Sequence, residues 1–248
     1  MSESEERARR ALGDAWERWG LLTAHRVRRR MPEIARLAAV VAVAYVATEA
    51  IYFGSATLAL ATLAPWLPEI KEADSSLAWA LHSLATPALT VFFLALTMLG
   101  SGYGNIALTS VFGWTFACRR AVLRGAALAF LMIGASGLSE ITKLLVQRVR
   151  PEEFRLATAP GYSFPSGHAL MATCLYGGLA LLLWRRARRR RERAALFVGA
   201  VVLAISIGLS RVYLGVHYPT DVVGGWVGGL LWLFAFRQSL SRFARGQT

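Results

Sequence analysis

The 248-residue chain is 55% hydrophobic with mean hydropathy +0.43, too apolar for an ordinary soluble domain, and it carries a formal charge of +13. The basic residues are almost all arginine and sit between apolar blocks, a layout that suits anionic headgroups and membrane topology and argues against nucleic acid as a partner. Cys118 and Cys174 lie far apart, in or beside apolar stretches, so they are read as packing residues and not as a disulfide framework.

In chain order, residues 2–36 are charged and place Leu12, Trp16, Trp19 and Leu22 at helical spacing. This fits a basic amphipathic helix on the inner leaflet, and equally a solvated helix preceding the first span. A cleaved signal peptide is not expected, because the apolar stretch after Arg36 is long and contains Glu49. A spanning helix needs roughly 20 mostly apolar residues. Blocks from about Leu37 to Ala64, Ala126 to Val146, His168 to Trp184, Ala195 to Leu214 and Thr220 to Phe236 meet that requirement, and Tyr103 to Cys118 is a shorter sixth. The run from Leu84 to Leu99 is open to three readings: a further span, a re-entrant piece or an interfacial helix.

Arginine-rich loops stay cytoplasmic. The clusters at Arg26 to Arg30, Arg119 to Arg124, Arg185 to Arg193 and Arg237 to Arg245 fall on one side if the chain crosses once between Ala64 and Ala126. The expected fold is therefore all-α: a polytopic bundle of about six transmembrane helices (residues 37–248) behind a cytoplasmic N-terminal segment (1–36). Both termini lie inside, in a bacterial plasma membrane. The acidic-leaning stretch Glu69 to Asp74, the loop Arg148 to Phe164 and the turn around His217 then lie outside.

Three short polar segments interrupt this chain and gather its rare residues: one of the two lysines and two of the four histidines. In the first, Lys143 and Arg150 are seven residues apart, which on a continuous helix returns within about 20° of the same face, whereas Arg148 falls elsewhere. Each of the pair is open to a second reading as a snorkelling anchor. In the second, Ser166 occupies an N-cap position, Gly167 admits close backbone approach and His168 enters the first helical turn, which together make a phosphate cradle. The plainer reading is a cap and an interfacial histidine.

In the third segment, Arg211 ends the fifth span, and His217 and Asp221 flank Pro219 at the start of the sixth. A carboxylate four residues on is placed to accept Nδ1–H and leave Nε2 with its lone pair, as a nucleophilic imidazole requires. Asp221 also suits a helix N-terminus on dipole grounds alone, and the two roles are compatible. Gly224, Gly225, Gly228 and Gly229 give small-xxx-small spacing, which suits close helix packing inside the bundle ahead of a dimer face.

The pattern K-x6-R-P, P-S-G-H, S-R-x5-H-x3-D, together with the strings GYSFPSGHA and SRVYLGVHYPTDVVGG, resembles the type 2 phosphatidic acid phosphatase superfamily over about Thr90 to Phe236. That superfamily includes membrane lipid phosphatases, glucose-6-phosphatase and vanadium haloperoxidases. No motif residue departs from that pattern, and Val149, where many members have proline, puts nothing catalytic in doubt. The resemblance implies that His217 attacks phosphorus to give a phosphohistidine, that Asp221 orients it, and that His168 protonates the leaving oxygen and then activates water. It further implies that Lys143, Arg150, Ser166, Gly167 and Arg211 hold the non-bridging oxygens, with no metal or other cofactor.

The expected substrate is a lipid phosphate in the bilayer: phosphatidic acid, phosphatidylglycerol phosphate or undecaprenyl diphosphate. A lipid phosphotransferase shares the first half-reaction. A vanadate-dependent haloperoxidase does not suit six spans, and a non-enzymatic lipid carrier has no use for the His217–Asp221 pair.

Overall fold

The computed structural model describes residues 67–152, 155–184 and 186–245. The expected N-terminal amphipathic helix and the Leu37 to Ala64 span lie outside the described residues. The chain divides into two units, Met1–Ala47 with Arg242–Thr248, and Thr48–Ser241; the second is described below.

Seven helices follow one another: α1 (Leu67–His82), α2 (Pro87–Met98), α3 (Gly102–Cys118), α4 (Val122–Val146), α5 (Gly167–Trp184), α6 (Arg190–Tyr213) and α7 (Pro219–Arg245). No strand occurs among the described residues. Among the described residues four helices are long and apolar enough to cross a bilayer, over Val122–Val146, Gly167–Trp184, Arg190–Tyr213 and Pro219–Gln238, and they coincide with four of the expected spans. The expected Tyr103 to Cys118 block is a helix of 17 residues.

The ambiguous run Leu84 to Leu99 yields α2, whose 12 residues rise only about 18 Å, short of the roughly 30 Å hydrocarbon core. α1 and α2 meet at a 115° bend, so the pair makes a fifth crossing only if counted as one broken span. Pro87 at the first helical turn and the Thr86 hydroxyl, which accepts from Leu89 N–H, fix where the chain turns. α1 was not foreseen, because Glu69 to Asp74 is acidic and lacks a continuous apolar face.

α5 and α6 pack as the central pair; α4 lies against α5, α3 against α4, and α1 and α2 cover α6. Leu128, Leu131, Leu138, Leu170, Leu175 and Ile207 are buried between them. Trp232 on α7 donates to Leu131 O on α4 at 2.9 Å, and Trp226 donates to Ala204 O on α6 at 3.0 Å, which ties the last helix to both. The glycine spacing on α7 serves this packing. A Cβ on Gly225 would lie 2.6 Å from Ser166 O, and one on Gly229 2.8 Å from Thr173 Cβ. Outward faces carry Ile106, Trp114, Ile133, Phe197, Leu230 and Phe234, apolar side chains suited to lipid. Cys174 is buried as expected, whereas Cys118 is exposed at the end of α3 and is not a packing residue.

Candidate active site

α4 stops at Val146 because Gln147 adopts the left-handed conformation (φ 48°) and closes the helix with its N–H on Lys143 O. Lys143 and Arg150 are therefore not on one continuous helix, which corrects the helical-spacing expectation: Arg148 to Arg150 runs outside helix geometry. Off the helix the 3.6-residue period no longer sorts these side chains, and Arg148 and Arg150, which it separates, both turn into the protein.

Arg150 is buried and held as a fork. Its Nε donates to Gly161 O (2.9 Å), Nη2 to Pro160 O (3.2 Å), and Nη1 to Val216 O (2.8 Å) and to His217 Nε2 (3.0 Å). Guanidinium only donates, so Nε2 must carry the lone pair and the proton belongs on Nδ1. Nδ1 lies 3.4 Å from Asp221 Oδ2, within ion-pair range though not aligned as a hydrogen bond. Burial pushes His217 down to about 4; Asp221 works against that shift, and Arg150 and Arg211 reinforce it. The ring is thus neutral at pH 7, with its lone pair fixed in direction.

Asp221 is fully buried in the first turn of α7. Its Oδ2 accepts from Tyr218 N–H (2.9 Å) and from the Ser163 hydroxyl, and its Oδ1 from Arg148 Nη1 (2.7 Å). Gly215, with φ 69°, permits the turn that carries the chain from Arg211 to His217. Burial works to lower the Arg148 pKa, but Asp221 and Asp74 outweigh it and the net shift is upward.

Ser166 opens α5 as expected, its carbonyl accepting from Leu170 N–H, while its N–H donates to Asp221 O at 2.9 Å and joins the second segment to the third. Its buried hydroxyl does not cap the helix and has no protein partner. A Cβ at Gly167 would lie 3.2 Å from Ser139 Oγ and 3.5 Å from Lys143 Nζ, which brings the first segment against the second. Lys143 Nζ also pairs with exposed Glu140 at 2.7 Å. Arg211 donates through Nη1 to Thr97 Oγ1 (2.9 Å) and its buried Nε has no protein partner. His168, in the first turn of α5, feels the charges of Arg211, Lys143 and Arg150.

All eight expected site residues therefore converge at one end of the bundle. Among the described residues there is no group of three His, Cys, Asp or Glu arranged to hold a metal. Sequence reasoning missed Asp74, Thr97, Ser139, Arg148, Ser163 and Thr220. Only Arg148 had a local signal, its two-residue offset from Arg150.

A helical membrane bundle that gathers cationic side chains at one end around a buried His–Asp pair is the class of protein this fold and site define. A model of the PAP2 superfamily matches residues 124–245. Phosphatidylglycerophosphatase B of Bacillus subtilis is 32% identical over 179 residues, 70% of this chain and 88% of that protein. Undecaprenyl-diphosphatase of Sulfolobus acidocaldarius is 32% identical over 111 residues, 42% of this chain and 50% of that protein. The crystal structure of a transmembrane PAP2-type phosphatidylglycerolphosphate phosphatase from Bacillus subtilis is similar, with TM-score 0.70 at 29% identity over 76% of this chain and 95% of that one. The chain belongs to the PAP2 superfamily.

Proposed function

We propose that this protein is a membrane phosphatase that removes phosphate from lipid phosphate monoesters or lipid diphosphates through a phosphohistidine on His217. The observation that carries this reading is the buried imidazole whose Nε2 lone pair is fixed by Arg150 and whose Nδ1 faces Asp221. The names of its relatives, phosphatidylglycerophosphatase and undecaprenyl-diphosphatase, support lipid phosphate as the substrate class.

In the first step Arg150 Nη1 passes its hydrogen bond from His217 Nε2 to a phosphate oxygen, the freed lone pair attacks phosphorus in line, the bond to the leaving oxygen breaks, and His168, protonated beside the bound phosphate dianion, gives its proton to that oxygen. Arg150, Arg211, Lys143, the Ser166 hydroxyl and the Gly167 backbone hold the three non-bridging oxygens, whose charge must be matched throughout transfer. The unpartnered Ser166 Oγ and Arg211 Nε are polar groups in want of such a ligand. Asp221 stabilises the imidazolium. In the second step His168 takes a proton from water, the hydroxide attacks phosphorus, and the P–N bond breaks to return neutral His217 and phosphate.

The site faces the outside of the cell in this reading. The Arg119–Arg124 and Arg186–Arg193 turns join the opposite ends of the helices from the three motifs, as the positive-inside rule requires. The test is phosphate release from phosphatidic acid, phosphatidylglycerol phosphate and undecaprenyl diphosphate, each with and without lipid acceptors, by the purified protein and His217→Ala. Loss of turnover and of an acid-quenched phosphoenzyme in the variant is expected. Full residual activity would sink the nucleophile assignment, and acceptor-dependent transfer without free phosphate would replace hydrolysis by phosphotransfer.

A further inference from the structure

Asp74 lies on α1, outside the three motifs and outside the residues 124–245 that the family model matches. Its side chain is nonetheless only 3% exposed. Oδ2 accepts from Arg148 Nη2 at 2.7 Å and from the Thr220 hydroxyl, and Oδ1 from Thr220 N–H at 3.0 Å. The same guanidinium donates through Nη1 to Asp221 Oδ1 and to Thr220 Oγ1, both at 2.7 Å, and stacks 4.3 Å over the Tyr218 ring. One planar fork therefore spans two carboxylates from different helices, a task suited to arginine and not to lysine.

Two physical consequences follow. Pinning Oδ1 of Asp221 stops rotation about its Cβ–Cγ bond, and that rotation is what decides whether Oδ2 faces His217 Nδ1. The charge count matters as well: two carboxylates against one guanidinium leave one net negative charge beside a ring that becomes positive when phosphorylated. Were Arg148 paired with Asp221 alone, that charge would be cancelled.

We infer that Arg148 and Asp74 are positioning residues of the phosphoryl-transfer site: their ion pair clamps the Asp221 carboxylate in the orientation that serves His217, and makes α1 a working part of the site. This rests on His217 as nucleophile. Arg148 and Asp74 spend these contacts on Asp221, Thr220 and each other, so the clamp acts on turnover and not on anion binding.

The experiment compares Arg148→Gln, Arg148→Lys, Asp74→Asn and His217→Ala in the full chain in detergent, reading phosphate release from phosphatidic acid and product inhibition by inorganic phosphate. Arg148→Gln is expected to lower kcat by about 10- to 100-fold, with KM and the phosphate inhibition constant held within about 3-fold. Arg148→Lys recovers part of that loss. Asp74→Asn shows the same signature to a smaller degree, and the Arg148→Gln/Asp74→Asn double variant is no worse than Arg148→Gln alone. If Arg148→Gln does not fold, Asp74→Asn and Arg148→Lys carry the test. Unchanged kcat in the folded variants overturns the clamp, as does phosphate inhibition that weakens in step with kcat. A fully active His217→Ala sinks the nucleophile reading instead, whereas an inactive His217→Ala beside a fully active Arg148→Gln sinks the clamp alone.

Discussion

Gly225→Ala adds a single methyl where α7 crosses the start of α5. The new Cβ would lie 2.6 Å from Ser166 O, 2.9 Å from Ala169 Cβ and 3.2 Å from Leu170 N. Two of these three atoms are backbone, so no rotamer change relieves the contact and the helices must part. Opening the closest contact to the 3.4 Å at which ordinary contact begins takes roughly 0.8 Å of movement, enough to move Ser166 and Gly167 relative to Asp221. Overpacking of this kind costs about 1–3 kcal/mol. A displacement near 1 Å in a positioned site costs up to about 100-fold in rate. The control is Gly199→Ala on α6, which meets nothing within 4 Å and gains up to about 1 kcal/mol of helix propensity. Thermal unfolding in detergent and phosphate release from phosphatidic acid read both effects. A Gly225→Ala protein with wild-type stability and turnover would refute the claim that this crossing sets the geometry of the site.

Stability is expected to fall as pH is lowered from about 6.5 to about 4, because His217 binds its proton more readily unfolded than folded; the contribution reaches about 3 kcal/mol, and His217→Gln should flatten that part of the unfolding curve. A curve that His217→Gln leaves unchanged would contradict a buried neutral ring. Trp232→Phe removes the hydrogen bond to Leu131 O and should destabilise the bundle by about 1–2 kcal/mol, with phosphate affinity preserved. Ser139→Ala should weaken inhibition by inorganic phosphate by about 3- to 10-fold, one neutral hydrogen bond's worth, if its buried hydroxyl faces the same anion as Lys143; unaltered inhibition would exclude that contact.

The apolar blocks made four of the spanning helices readable, because in lipid an apolar run of sufficient length has no alternative to helix. α1 escaped notice since its acidic sequence is helical by docking, with Asp74 buried against Arg148 and Thr220. The helical reason for joining Lys143 and Arg150 fails: the helix ends between them at Gln147, and the chain that follows carries Arg150 to Val216 and His217. The same non-helical backbone turns Arg148 inward, where helical counting had put it aside.

By itself, the sequence determined the membrane class and the helical architecture and marked eight residues that the fold brings to one end of the bundle, since apolar length and short-range spacing are properties of the chain. Only the tertiary structure decided which group holds the His217 lone pair in place and what pins Asp221. Those depend on contacts such as Arg150 to His217 and Asp74 to Arg148, 67 and 74 residues apart, which no local period encodes.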